Sequence, residues 1–284
     1  MTPIERLARA KINLTLHVTG QREDGYHLLD SLVVFAEMGD RIGVRPSETL
    51  TLDVSGPFSD GVPRDHGNIV LRAAEALRHV HRIEAGAEIQ LEKNLPHGAG
   101  IGGGSADAAA ALSALAELWD VPPLPASDAL ALGADVPVCM GAPVPHRMEG
   151  IGDVLTPLHH LPDAALVLVN PRVIVPTGEI FSRMRRKHNP AMRRVPEGID
   201  YPGFVDWVAA QRNDMTDAAC EIAPVIRDVL AALNGQDAIH AAVMSGSGAT
   251  CVGVCHDMDA ARAAASALQA EHFDWWITAA PMAR

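Results

Sequence analysis

Apolar and polar residues alternate strictly through KINLTLHV at 11–18, with Ile12, Leu14, Leu16 and Val18 on one face. Lys11, Asn13, Thr15 and His17 fall on the other, so the period of two predicts a strand with one buried face. A turn follows at GQREDGYH (20–27). DSLVVFAE (30–37), RIGV (41–44) and TLTLDVSG (49–56), separated by Pro46 and Ser47, then extend a β-rich opening. Through GNIVLRAAEALRHV (67–80) the period becomes helical, turning Ile69, Leu71, Ala74, Leu77 and Val80 inward. AEIQLEKN (87–94) reads as a strand. SADAAAALSALAELW (105–119) is the strongest helix, since alanine and leucine dominate it and Ser105 can cap its start.

VPPLP (121–125) interrupts the chain, and a short helix opens at Ser127 and ends near Gly133. ALVLVN (165–170) has the look of a buried strand, and PTGEIFSRM (176–184) of a helix or turn. Helices are expected at 203–211 and 214–233, then a pair of strands around MSGSGAT (244–250). DMDAARAAASALQAEH (257–272) is a helix and FDWWITAA (273–280) a last strand. Strands and helices mix without regular βαβ alternation, which favours an α+β fold over a doubly wound sheet. The glycine-rich chemistry clusters early, so two domains are expected, at 1–155 and 156–284.

A chain of 284 residues, 48% hydrophobic and 20% charged, can bury a large core. Its net charge of −12 argues against nucleic acid or an anionic membrane as the main partner. One basic stretch stands out, RMRRKHNPAMRR at 183–194, either a solvated loop or a lid over a substrate phosphate. No run of 18 apolar residues occurs, and MTPIERLARAKINL lacks the apolar core of a signal peptide. Cys251 and Cys255, four apart on a strand, would stand roughly 13 Å apart, too far for a disulfide. With Cys139 and Cys220 they read as free thiols of a cytoplasmic protein. Neither HExxH nor paired CxxC is present, so no zinc site is expected.

The densest chemistry lies in NLPHGAGIGGGSADA (94–108), with five glycines between 98 and 104. A Walker-type loop needs GxxxxGK[ST], and no lysine lies in the cluster. Gly98, Gly100 and Gly103 match a dinucleotide fingerprint, but WDVPPLP follows where a second strand with a terminal acid is required. The remaining reading is a strand that delivers a glycine loop to a helix start. There, unsatisfied amides and the dipole attract an anion, and successive glycine amides form a nest for di- or triphosphate. Ser105 adds a hydroxyl for a phosphate oxygen or a magnesium ion. Tight helix packing is the competing explanation for so much glycine.

Pro96-His-Gly-Ala-Gly-Ile-Gly-Gly-Gly-Ser105 resembles the second motif of the GHMP small-molecule kinases. The resemblance runs through ARAKINLTLHVTGQREDGYH, GNIVLRAA, LGADVPVCM (132–140), MEGIGD, VPTGEIF (175–181), RNDM (212–215) and MSGSGA (244–249). It implies a two-domain α+β architecture: an N-terminal ATP-binding domain and a C-terminal domain of ferredoxin-like character. AKINL followed by DGYH resembles the member that phosphorylates the 2-hydroxyl of cytidyl-diphospho-methylerythritol in the non-mevalonate isoprenoid route. The cofactors so implied are ATP and Mg2+, in a monomer or weak homodimer. Ala106 stands where the family usually has a second serine, which leaves the magnesium ligands unassigned beyond Ser105.

By the same resemblance Lys11 and Asp135 are the catalytic pair, with Asp135 as the base. Read alone, Lys11 could be an exposed charge and Asp135 a helix cap. ATP would be held by Pro96, His97, Gly98, Ala99, Gly100, Ile101, Gly102, Gly103, Gly104, Ser105 and Ala106, with adenine near Asn68 and the backbone from Lys93 to Leu95. Tyr26 and Phe181 would clamp the cytosine and His27 read its edge, although a Tyr-His turn and a core Phe are the plainer readings. Asn13, Thr177, Ser247 and Gly248 complete the acceptor side. A homoserine- or mevalonate-type kinase, or a non-catalytic ligand-binding protein on this fold, are the competing functions.

Overall fold

A computed structural model describes residues 2–284, in two compact units that each draw on several chain segments. The first comprises the chain up to Ala10, Met38–His97 and Gly102–Ala142; the second, Lys11–Glu37, Gly98–Ile101 and Pro143 onward. Strands β1 (Ile4–Asn13) and β3 (His27–Ser47) give residues to both.

In the first unit, residues 41–47 of β3 pair antiparallel with β5 (Gly86–Glu92), and β5 pairs parallel with β4 (Leu50–Ser55). A parallel pair needs a crossover, and helix α1 (Ile69–His81) supplies it. The Asn68 side chain caps α1 by accepting from the Val70 amide, and Arg82 ends it in the left-handed conformation. Its inner face is Val70, Leu71, Ala73, Ala74 and Leu77; Val80, expected inside, is exposed. Helix α2 (Gly103–Trp119) buries every residue from Ala106 to Leu112, which small alanines allow all round the helix. Helices α3 (Ala126–Leu132) and α4 (Val136–Met140) follow, and α4 packs on α2.

In the second unit, β2 (His17–Gln21) and β6 (His146–Gly150) both pair antiparallel with the first half of β3, and β7 (Val154–Pro157) pairs with β6. A second, antiparallel sheet contains β8 (Ala165–Asn170), β9 (Ala241–Met244), β10 (Cys251–Cys255) and β11 (Trp276–Pro281) in the order β11-β8-β10-β9. Numbered within that sheet the order is 4-1-3-2. Helices α5 (Thr177–Arg183), α6 (Tyr201–Ala209), α7 (Thr216–Ile222) and α8 (Val225–Asn234) fall between its first and second strands. Helix α9 (Met258–Glu271) falls between the third and fourth, which completes a ferredoxin-like topology. The fold is α+β, as expected.

Several local expectations differ. Residues 11–18 are not one strand, because β1 stops at Asn13 and β2 begins at His17. Nor is one face open: Lys11, Asn13, Thr15 and His17 are all buried. Pro46 does not separate strands but lies within β3, opposite Ala87. The expected helix at 214–233 is two, divided at Ala223 and Pro224, where proline cannot donate to the preceding turn. Strands β6 and β7 carried no clear period and were not anticipated.

Candidate active site

The glycine loop has a division of labour between its carbonyls and its amides. Ala99 O accepts from the Thr250 amide (3.1 Å), Gly100 O from Ser245 Oγ (3.0 Å) and Ile101 O from the Lys11 amide (3.0 Å). Among the described residues, no main-chain N–H from His97 to Ser105 donates to a protein acceptor. Nine consecutive amides are thus available, whereas buried backbone donors are nearly always paired. Ser105 does not cap α2. Gly102 holds that position at φ 62, with no side-chain cap, and Ser105 lies in the first turn.

The glycines serve two ends. At Gly100 (φ +72) an added Cβ would lie 2.5 Å from Ser245 O and 2.6 Å from Gly248 O, so packing within the second unit requires glycine there. That much of the cluster answers to packing rather than to a ligand. At Gly103 and Gly104 the nearest atoms would be 3.7 Å away and φ is ordinary, so neither strain nor protein neighbours demand glycine. A Cβ at either would make only ordinary van der Waals contact.

Beneath the start of α2 lies a buried charge cluster that the sequence did not announce. The Lys93 ammonium bonds Asp40 and, at 2.7 Å, Asp107, while Asp40 Oδ1 accepts the Asn94 and Leu95 amides. Burial opposes the charged form of Lys93, but Asp107 and Asp40 outweigh it and hold the ammonium above its ordinary range. Burial pushes the Asp107 carboxyl up to about 8, against the pull of Lys93 and with the help of Asp40. The side chain of Lys93 is therefore committed within the first unit. The Asn68 side chain is engaged too: it takes the Val70 amide and donates to Pro63 O (2.7 Å). Asp135 stands at the N-cap position of α4 yet makes no capping bond, and it is half-buried.

In the second unit Lys11, at the end of β1, is buried rather than solvated. The Asn13 amide donates to Ser245 Oγ (3.0 Å) and Asn13 Nδ2 to Ser31 Oγ (2.7 Å), leaving Asn13 Oδ1 buried without a partner. The 244–250 turn is held by Asn213, whose amide donates to Met244 O (2.9 Å) and Gly246 O (2.8 Å). Ser247 Oγ meets Thr177 Oγ1 at 2.8 Å. Lys11, Asn13, the 98–101 loop, Thr177, Ser247 and Gly248 are thus joined by direct contacts.

Tyr26 is 59% exposed, and it follows a turn in which its amide bonds Asp24. His27 stacks on Phe181, centroids 4.0 Å apart and planes 8° from parallel. Burial, then the charge of Lys187, lower the His27 pKa, and its buried Nε2 has no partner. The basic stretch is no free loop. The Asn189 amide donates to Val18 O (3.1 Å), the Met192 amide to Asp30 (2.8 Å), and Met192 is buried. Asp30 is also clamped by Arg147 through two bonds of 2.9 and 2.7 Å. These anchors join residues more than a hundred apart, which no local pattern could reveal.

Residues 68–158 match the family model described as GHMP kinases N terminal domain, and residues 207–274 that described as GHMP kinases C terminal. The 4-diphosphocytidyl-2-C-methyl-D-erythritol kinase of Cereibacter sphaeroides is 52% identical over 282 residues, 98% of this chain and 99% of the relative. The protein of that name from Ruegeria pomeroyi is 53% identical, with 96% and 97% covered. A crystal structure of 4-(cytidine 5'-diphospho)-2C-methyl-D-erythritol kinase matches with a TM-score of 0.80 and 32% identity over 99% of both chains. A homoserine kinase from Cytophaga hutchinsonii shares the fold, with a TM-score of 0.68 and 18% identity over 100% of this chain and 96% of that one. The chain therefore belongs to the GHMP kinases, among relatives that carry the 4-diphosphocytidyl-2-C-methyl-D-erythritol kinase name.

Proposed function

We propose that the protein transfers the γ-phosphoryl group of ATP to the 2-hydroxyl of 4-diphosphocytidyl-2-C-methyl-D-erythritol, in the non-mevalonate route to isoprenoid precursors. The observation that carries this reading is the run of amides without protein acceptors at 97–105. With two glycines that packing does not require, it suits the phosphates of a nucleotide. The names and near-complete coverage of the relatives supply the acceptor.

In this reading Asp135 takes the proton from the acceptor hydroxyl, and Lys11 supplies positive charge to the reacting groups. The transfer is direct and in line, without a phosphoenzyme. General-base help contributes about 10²–10⁴ in rate, and positioning with charge neutralisation most of the remainder. Among the described residues no cluster of three His, Cys, Asp or Glu side chains could hold a metal alone. A Mg2+ would be carried by the nucleotide phosphates, and the Ser105 hydroxyl in the first turn of α2 is the protein oxygen that could contact it. Bound there, the ion would neutralise phosphate charge. By sequence we divide the labour near residue 155, between a nucleotide-side half and an acceptor-side half. The four buried cysteines, none of them in a disulfide, suit a reducing compartment, and we place the enzyme in the cytoplasm.

The test is an ADP-release assay with ATP, magnesium and the cytidyl acceptor, run beside homoserine and mevalonate. Only the cytidyl compound should support turnover. Asp135→Asn should lower turnover by about a hundredfold or more while ADP still binds. Equal activity of that variant removes Asp135 from the role, and turnover of homoserine or mevalonate alone overturns the substrate.

A further inference from the structure

Among the described residues three non-glycine residues have positive φ: Arg82, Asp120 and Arg172. Two have an ordinary cause, since Arg82 and Asp120 close α1 and α2 as left-handed C-caps. Arg172, at φ 58, ends no helix. It lies between β8 and α5, in the PRVIVP segment at 171–176.

Its backbone is held there by a buried chain of bonds. Asn170 Oδ1 accepts the Arg172 amide (2.7 Å), and Asn170 Nδ2 donates to Thr250 Oγ1 (2.9 Å). Thr250 in turn gives its amide to Ala99 O of the glycine loop (3.1 Å). Two residues beyond Arg172, Ile174 Cγ2 lies 3.8 Å from where a Cβ on Gly98 would stand. Residue 172 is therefore tied to Ala99 through Asn170 and Thr250, with Ile174 close beside Gly98, all within the second unit.

The side chain itself is exposed and makes no hydrogen bond or ion pair among the described residues, in a chain of net charge −12. Glycine would adopt this conformation without strain. The arginine thus brings something that the fold does not need. Left-handed strain of this kind concentrates at ligand clamps, and a guanidinium matches phosphate oxygens in pairs.

We propose that Arg172 is a phosphate-contacting residue, which takes two oxygens of a di- or triphosphate bound beside residues 98–99. This rests on the kinase reading above, and two sources fit the chemistry: the nucleotide's phosphates and the diphosphate of the acceptor. The experiment measures Kd for ADP with magnesium, and separately for cytidine 5'-diphosphate, on the whole chain and on Arg172→Gly, Arg172→Gln and Arg172→Lys. The glycine variant should melt about 2–4 °C higher as the strain is relieved. It and the glutamine variant should bind one of the two ligands about tenfold more weakly, with less dependence on salt. Lysine should keep part of the affinity. The ligand whose Kd moves identifies the source. Unchanged affinity for both in every variant overturns the role of Arg172 and leaves the kinase reading intact. A whole chain that binds neither ligand overturns the kinase reading, and this inference with it.

Discussion

The Lys93 ammonium lies 2.7 Å from Asp107 Oδ2, and both side chains are almost sealed from water. Asp40, on the other side, is sealed completely. One cation thus bonds two buried acid side chains, and the group sits under the first turn of α2. Lys93→Met should cost about 3–5 kcal/mol, because it removes the one cation of a buried acid cluster and leaves both side chains without that bonding partner. Urea unfolding would register this as a lower midpoint at an unchanged slope. A midpoint close to that of the parent would mean that water reaches the cluster.

The same cluster predicts a pH dependence of unusual sign for an aspartate. Burial holds Asp107 at about 8, above its ordinary 3.8, so between those values the folded chain keeps a proton that the unfolded chain has lost. Stability from this group is complete below the lower value and declines as pH rises through the window. His17, lowered chiefly by burial, acts the other way near its usual range of 6.5. The comparison must therefore be against Asp107→Asn, which removes only the first effect. The variant's melting temperature should gain on the parent as pH rises between about 4 and about 8. A constant gap would contradict the shift.

Much of the fold could be read from the chain, and the failures share a cause. Helix α2 and strand β8 announced themselves because a helix of alanines and a run of Leu and Val have strong local signals. KINLTLHV misled because alternation reports which residues differ, not whether both faces are covered. Here the polar face is covered by partners far along the chain: Ser245 on Asn13, Met192 on Thr15 and Pro190 on His17. The glycine motif was legible as a whole, but the division between Gly100, which packs, and Gly103 and Gly104, which do not need to, was visible only in three dimensions. Asp40 and Asp107 gave no signal, since their meeting point is a lysine 53 residues from one and 14 from the other.

Gly100 offers a direct test of the docking between loop and turn. Gly100→Ala meets two penalties: φ of +72 and a methyl group forced to within 2.5 Å of Ser245 O. Left-handed strain and overpacking together should cost about 2–4 kcal/mol. Because the carbonyls of Ala99, Gly100 and Ile101 accept from Thr250, Ser245 and Lys11, displacing the loop should also weaken ADP binding. Gly104→Ala, with ordinary φ and 3.7 Å of clearance, should leave stability nearly unchanged and still weaken the nucleotide. Calorimetric unfolding together with ADP titration separates the two. Loss of stability at Gly104 would mean that its glycine serves packing after all.

The acceptor side turns on Tyr26 and Phe181. Tyr26 is exposed, so Tyr26→Ala has little packing to lose and should change stability by less than about 0.5 kcal/mol. If its ring stacks on the cytosine, the KM for the cytidyl acceptor should nevertheless rise about tenfold, since an aromatic–base stack contributes about 1–3 kcal/mol. Phe181 is different. Its ring already carries His27 at 4.0 Å and packs against the core of the second unit, so Phe181→Ala should lower both stability and acceptor affinity. Losing the stack also exposes His27 to water, which removes the burial that lowers its pKa and should return its titration towards 6.5. Proton NMR of the imidazole follows that titration without any substrate. A His27 that titrates identically in the two proteins would mean that the Phe181 ring does not shield it, and a Tyr26→Ala variant with the parent's KM would place the cytosine elsewhere.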